Sequence, residues 1–353
     1  MDVSPHIVRM SPHLVEKVWG GQKLARYFGK DLLEDRPFGE AWEVADLEEG
    51  QSRVASGPLV GQTLGSLSRA WGRALVGKKA AESDRFPLLV KLLDADRDLS
   101  VQVHPGREDA AALPGAASKE ESWLILQADP GAEIVHGLID DAVDEEHFRQ
   151  AALTGQLEPL LRRVAVKAGD VIDVAPGTIH AICQGVALLE IQEPSDTTYR
   201  VYDYERPGLD GEPRQLHLEK AVKVARLGRS PRIYATGERL SPEVEMLTKN
   251  RAFRCERVKL RGEVSARWKV SSSSVQVLHL VKGRVRLADG LGGVVELGTF
   301  ETAVVPASLG LVELTCGSSS VEMVVAGLPQ HQLVDGLEID EPAVAKPVLT
   351  NAE

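Results

Sequence analysis

The sequence predicts a mainly β protein of two jelly-roll domains, with helices packed beside or inserted into the first. Three observations support this. Short apolar segments recur between Gly, Pro and Asp turns from about residue 84. Two stretches break that rhythm with helical spacing, and a polar connection near residues 227 to 240 is followed by further strands.

The segments FPLLVKLLDA, LSVQVHP, SWLILQA, VIDVAPG and VALLEIQ have the length and apolar character of strands in antiparallel sheets. Around 63 to 82 and 140 to 162 apolar residues recur three and four apart, and in the second stretch acids come early, which predicts helices. The connection LGRSPRIYATGERL places a boundary that gives a first domain at 1–235 and a second at 236–330. Beyond it, FRCERVKLRG, SVQVLHLVKGRVRLAD, GGVVELGTFETAVVPA, GLVELTCG and SVEMVVAG read as strands, so the second domain is a sandwich or jelly roll. Its GGVVELGTFETAVVPAS echoes VAVKAGDVIDVAPGTIH, with Ser308 and Leu309 after the Pro where the first copy has Gly177 to His180. This suggests a duplicated fold with chemistry in one copy. Residues 331–353 read as a C-terminal tail or edge segment.

At 353 residues the chain is long enough for two domains with cores of their own. With 41 basic and 52 acidic side chains its net charge is −11, the wrong sign for a general binder of nucleic acid or anionic membrane. No run approaches the roughly 20 apolar residues that span a bilayer. The N-terminus has Pro, His and charge where a signal peptide carries an apolar core. Cys183, Cys255 and Cys316 form neither a CxxC pair nor an even set, which suits a reducing cytoplasm.

In LSVQVHP, Gln102 and His104 leave one face of a strand while Val101 and Val103 leave the other, so two donor groups can meet one ion. Glu121 opens the next strand-like segment and supplies a carboxylate if that strand lies beside 100 to 104. His180 follows the Pro176-Gly177 turn. Two imidazoles, a carboxylate and an amide suit Zn²⁺ with a position left for substrate; manganese and iron fit the same residue types. Downstream, Glu190 and Gln192 give one strand a polar face, and Arg200, Arg206 and Arg214 follow among tyrosines. Such guanidiniums bind phosphate or a sugar oxygen, or pair with Asp196, Asp203 and Glu205; for Arg214 the ion pair is the favoured reading.

At these residues the sequence resembles the type I mannose-6-phosphate isomerases, in their shorter bacterial form, of the cupin superfamily. The matching text is VWGG, FGEAWE, LLDADRDLSVQVHP, K-x-E-x-W at 119 to 123, APGTIHAI and EIQEPSDTTYRVYDYER, within about residues 10 to 225. The resemblance implies two cupin-like domains and one zinc ion per chain, held by Gln102, His104, Glu121 and His180. It implies Arg200 as an active-site arginine, Ser100 and Lys119 as substrate-pocket residues, and Glu190 and Asp196 as acids near the reacting carbons. The implied partner is a small phosphosugar. For its chemistry we expect Lys119 and Arg206 to grip the phosphate and Glu190 or a metal-held water to move the proton. A non-catalytic sugar-binding cupin, or another metal-dependent sugar-phosphate cupin enzyme, is the alternative. Two positions depart from the family pattern: Glu120 replaces the usual Thr of K-x-E, and Ile182 stands where longer relatives carry a Tyr.

Overall fold

The computed structural model describes residues 3–32, 36–78, 80, 85–140, 142–227, 237–330 and 332–340. Among the described residues the strands form four main antiparallel sheets. The first, of five strands, runs in the order Tyr199–Tyr202, Val101–Val103, His180–Ile182, Glu133–Leu138 and Leu161–Ala165. The second, of six, runs Val171–Val174, Glu121–Ala128, Val186–Gln192, Leu89–Asp94, Phe38–Val44 and His13–Gly21. The third, of eight, runs Glu238–Arg239, Val244–Lys249, Arg254–Arg261, Ser320–Gly327, Gln276–Lys282, Thr302–Val305, Val8–Ser11 and Arg53–Val54. The fourth, of five, runs Val294–Gly298, Arg284–Ala288, Leu311–Cys316, Ser265–Lys269 and Asp335–Asp340.

The cores show how the sheets stack. Ile134 and Ile182 of the first sheet share a core with Leu93, Trp123, Ile172 and Leu188 of the second. The other face of the second sheet, with Val90, Leu92, Leu124 and Leu189, packs on Val8, Val277, Val304 and Val324 of the third. Leu278, Leu280 and Val325 then meet Trp268, Leu287 and Leu314 of the fourth. Covered on both faces, the second sheet needs continuous apolar strands, which is why FPLLVKLLDA and VALLEIQ do not alternate. The fourth sheet has one solvated face, and Leu311–Cys316 alternates exposed and buried along its length.

A polar chain threads the seam between the second and third sheets. Lys30 Nζ lies 2.6 Å from Glu43 Oε1, Thr302 Oγ1 donates to Glu43 Oε2 (2.9 Å), and His279 Nδ1 is 2.9 Å from Thr302 Oγ1.

The helix expected at 140 to 162 is the shorter Glu145–Leu153, followed by a 3-10 turn at Glu158–Leu160. Asp144 caps it by accepting from the His147 amide (2.8 Å), and Glu145 and Glu146 complement the helix dipole. Its Phe148 joins Val222 and Val224 of helix Leu218–Val224 in covering the outer face of the first sheet. The helix expected at 63 to 82 divides into Leu64–Trp71 and Arg73–Val76, because Gly72 takes a positive φ between them; residues 79 and 81–84 lie outside the described residues. Leu64, Leu67, Trp71 and Leu75 belong to the core shared by the second and third sheets, so this helix fills the seam.

The boundary expected at 235 falls in 228–236, outside the described residues. Sheet membership also crosses chain order. Val8 pairs with Val304 and Met10 with Val54, so N-terminal strands complete the third sheet. After residue 330 the chain contributes an edge strand, Asp335–Asp340, whose Leu337 and Ile339 turn to the core while Glu338 pairs with Arg267. The rest of the expected tail, 341–353, lies outside the described residues.

Candidate metal centre and substrate cavity

The first and second sheets face each other across a cavity of about 190 Å³ lined by Lys17, Trp19, Glu40, Lys91, Leu93, Leu99, Ser100, Gln102, Lys119, Glu121, Trp123, His180, Ile182, Glu190, Asp196, Thr198, Arg200, Arg214 and His217. In the first sheet Gln102 is directly opposite His180 on one side and Arg200 on the other. Glu121 arrives differently from expectation. Its strand is not a neighbour of 100 to 104; it lies in the second sheet, paired with Val174 and Gln192, and reaches across the sandwich. A carboxylate from the facing sheet closes the donor set from above, which a group on an adjacent strand would not do.

His180 Nε2 lies 3.3 Å from Glu121 Oε1, and His104 Nε2 lies 3.6 Å from Glu121 Oε2. The three donor atoms fall within 4.8 Å of one another and all three residues are buried. Each imidazole turns Nδ1 to a backbone carbonyl, Thr197 O for His104 and Thr178 O for His180, both at 2.9 Å. A carbonyl only accepts, so Nδ1 carries the hydrogen and each Nε2 lone pair faces Glu121. Burial, reinforced by Lys119, pushes His104 well below the usual imidazole range and His180 down to about 3, so both stay neutral as cation ligands must be.

The Pro176-Gly177 turn aims His180. Gly177 has φ of 86° and donates its amide to His104 O (2.9 Å), tying the turn to the other imidazole. A Cβ there would sit 2.9 Å from Val224 O in a left-handed conformation, which only glycine adopts without strain.

These residues fit a divalent cation. Two lone-pair nitrogens and a carboxylate converge, and among the described residues the buried Glu121 Oε2 has no donor near it but the Lys119 ammonium. Lys119 Nζ, 2.8 Å from that oxygen and 3.2 Å from His104 Nε2, offsets part of the negative charge. The N/O set suits zinc. Gln102 stands beside the trio with Nε2 3.3 Å from His180 Nε2, while its Oε1 accepts from Ser100 Oγ (3.2 Å). Ligation through its carbonyl requires the amide to turn over, exchanging O for N.

Glu190 is buried on the facing sheet between its cross-strand neighbours Lys91 and Trp123. Trp123 Nε1 donates to Oε1 (3.1 Å) and Lys91 Nζ lies 3.3 Å from Oε2. Burial raises its pKa, with Lys91 opposing. Lys91 also lies 3.7 Å from Glu40, and Lys17 approaches Glu40 at 3.3 Å. Burial would raise Glu40, yet the two lysines and the Trp42 indole outweigh it and hold the carboxyl at about 2. Lys17, Trp19, Glu40, Lys91 and Trp123 were not singled out from the sequence. The signal was a charged Lys91 in the middle of the apolar run LLVKLL.

Other expected residues divide. Ser100 and Arg200 line the cavity, linked by Arg200 Nε donating to Ser100 Oγ (3.3 Å); Asp196 is an exposed lining residue. Arg206 lies apart from them: its Nε and Nη2 both donate to Asp203 Oδ1, and it is not among the residues of the lining. Arg214 pairs with the same carboxylate and does line the cavity. Gln192 shares the strand face of Glu190 but is not among the lining residues; its Nε2 donates to the backbone of Glu193 and Ser195 and shapes that turn. Glu120 follows strand alternation out of the site, into an outer groove with Arg107, Glu193 and Arg251.

Paired jelly rolls with a His–Glu–His donor set in one sandwich define a metal-binding cupin. The family profile for the phosphomannose isomerase type I catalytic domain matches residues 7–124. The probable mannose-6-phosphate isomerase GmuF of Bacillus subtilis is 43% identical over 221 residues, 62% of this chain and 68% of that protein. Mannose-6-phosphate isomerase ManA of the same organism is 45% identical over 216 residues, 60% of this chain and 66% of its own. A crystal structure of mannose 6-phosphate isomerase from Bacillus subtilis superposes with a TM-score of 0.79 at 30% identity, covering 91% of this chain and 99% of that one. The chain belongs to the type I phosphomannose isomerase family. A zinc-bound mannose 6-phosphate isomerase, 18% identical with a TM-score of 0.72 over 90% of this chain and 98% of that one, shares the fold.

Proposed function

We infer that this chain is a zinc-dependent aldose–ketose isomerase that interconverts mannose 6-phosphate and fructose 6-phosphate through an enediol. The observation that carries this is Glu190, a buried carboxylate set between an ammonium and an indole, on the same cavity as the His104, Glu121 and His180 donors.

Gln102, His104, Glu121 and His180 are the proposed metal-holding residues. Zinc there supplies Lewis-acid polarisation of sugar oxygens. Glu190 takes the proton from C2 of the open-chain aldose and delivers it to C1, while the hydroxyl proton moves between O2 and O1. A pKa raised by burial makes its ionised form a stronger base, and Lys91 keeps that form populated. The Arg200 guanidinium, fixed by Ser100 Oγ and by Gln215 O (2.9 Å), meets the negative charge that develops on the enediolate oxygens. Lys119 orients Glu121 and bounds the substrate, and Asp196 stands as an acid on the cavity lining.

All lining residues lie between 17 and 217. This supports assigning chemistry to residues 1–235 and a scaffolding role to the β domain that begins at 236. Three buried free thiols support a cytoplasmic setting, and no helix among the described residues is long and apolar enough to cross a membrane. The test is a coupled assay on protein stripped of metal and then resupplied with zinc. Conversion of mannose 6-phosphate that returns with zinc is expected; no metal-dependent turnover overturns the reading.

A further inference from the structure

The cavity has a second, cationic end that the metal chemistry does not use. Arg214 and His217 line it beside Arg200, beyond the strand Tyr199–Tyr202. Arg214 donates Nε and Nη2 to the two oxygens of Asp203 (2.6 and 2.5 Å), leaving Nη1 without a protein acceptor among the described residues. Arg206 grips Asp203 Oδ1 as well, through Nε and Nη2 (3.1 and 2.8 Å). Three guanidiniums thus gather where one buried carboxylate, Asp203, accepts from two of them. The gathering is unfavourable by itself: burial and then Arg214 both lower the Arg200 pKa.

The backbone is bent to make this arrangement. Tyr204 and Glu205 take successive left-handed conformations, φ 57° and 51°, which L-residues adopt only when their surroundings enforce it. The chain then loops out and closes through a bridge between Pro207 and Pro213, returning Arg214 to Asp203. At the same rim His217 Nδ1 accepts the Arg200 amide (3.3 Å), so its hydrogen is on Nε2 and that atom is a donor. Burial, Arg200 and Lys220 lower the His217 pKa, consistent with a neutral ring. A surplus of fixed donors and positive charge at one end of a cavity matches a dianionic oxyanion in geometry and charge.

We propose that Arg214 and His217 form the subsite for the substrate's phosphate group, and that Arg206 is a positioning residue that braces Asp203 so that Arg214 faces the cavity. The assignment rests on the isomerase reading. It transfers the phosphate from Lys119, which is engaged with Glu121, and from Arg206, which does not line the cavity. Arg200 then bridges the two ends, with Ser100 and the metal-site amide of Gln102 on one side and Gln215 and His217 on the other.

The test pairs steady-state kinetics on mannose 6-phosphate with calorimetric titration of the zinc-loaded protein by inorganic phosphate. Arg214→Gln is expected to raise KM and weaken phosphate binding by about tenfold or more, with kcat reduced less and zinc content unchanged. Arg206→Gln is expected to produce a smaller shift in the same two quantities. Arg226→Gln, an arginine paired with Asp109 outside the cavity, should leave both alone. Phosphate affinity and KM that stay within about twofold of the parent protein in Arg214→Gln overturn the subsite, as does a parent protein that binds no phosphate. If Arg214→Gln loses zinc or cooperative unfolding, Arg214→Lys decides: it keeps the charge but loses the planar fork, so weakened phosphate binding in a folded, zinc-loaded protein is expected and unchanged binding overturns the proposal. Failure of the parent protein to isomerise mannose 6-phosphate counts against the isomerase reading alone, since phosphate affinity is measured without turnover.

Discussion

The two sandwiches are built alike and filled differently. Between the third and fourth sheets, the buried polar groups are closed off by backbone: Glu256 accepts from the amides of Leu333 and Val334 (3.0 and 2.9 Å) and from Arg254 Nε (2.6 Å), and Gln276 bridges Trp268 Nε1 and Leu333 O. Between the first and second sheets, imidazoles, carboxylates and ammonium groups meet one another, and Glu121 Oε2 is met by the Lys119 ammonium and by no backbone amide. Polar burial alone therefore does not mark an active site. What marks it is polar groups whose remaining valences point at a shared space.

The comparison breaks most visibly at the donor trio. His180→Ala should abolish zinc retention and lower turnover by roughly 10³-fold or more, beyond the 10- to 100-fold typical of a group one step from the metal. Metal analysis and kinetics on the same sample check this, and a variant that keeps its zinc would remove His180 from the ligand set. Glu190→Gln should lower kcat by about 10²- to 10⁴-fold with zinc content unchanged; near-normal turnover would take the proton-transfer role from Glu190.

In the other sandwich the expected response is inverted. Glu256→Ala leaves Arg254 buried without its carboxylate and should cost about 3 to 5 kcal/mol by denaturant titration, while kcat per folded chain and zinc content hold steady. A change in kcat larger than the stability loss explains would mean that the scaffold half takes part in chemistry.

The seam between the halves offers the smallest effect. His279 is pushed down to about 3, by burial and then by Lys30. Below pH 6.5 the unfolded chain takes up a proton there that the folded chain refuses. This histidine's contribution is therefore present above 6.5 and is lost as pH falls from 6.5 towards 3, at no more than about 1.4 kcal/mol per pH unit. His279→Gln should flatten the stability profile in that window, measured on metal-free protein, and an unchanged slope would show that the imidazole is not closed to protons.

Strand rhythm, the Pro176-Gly177 turn and the pairing of Gln102 with His104 were legible because each depends on neighbours in sequence. Period two puts Gln102 and His104 on one face whatever the rest of the chain does. That Glu121 comes from the facing sheet was not legible, because which strand pairs with which is decided by long-range packing. Lys91 was hidden for a related reason: within an apolar strand one lysine carries no sign of the two carboxylates that surround it. The ion pair favoured for Arg214 was legible from the acids around it, whereas its place on the cavity lining, and the absence of Arg206 from it, depend on the path of the chain through Tyr204 and Glu205, which spacing does not give.

The strand Val8–Ser11 sits in the third sheet between Thr302–Val305 and Arg53–Val54, and its Arg9 reaches Glu301, 292 residues further along the chain (3.0 Å). A ribosome adding about 5 to 20 residues per second needs on the order of 15 to 60 s to produce that partner. Throughout that interval the N-terminal strand has only Arg53–Val54 beside it, and its pairing with Thr302–Val305 waits for later chain. The third sheet is therefore joined across its middle only after the strand Thr302–Val305 has been made, so the two halves of the fold close together late.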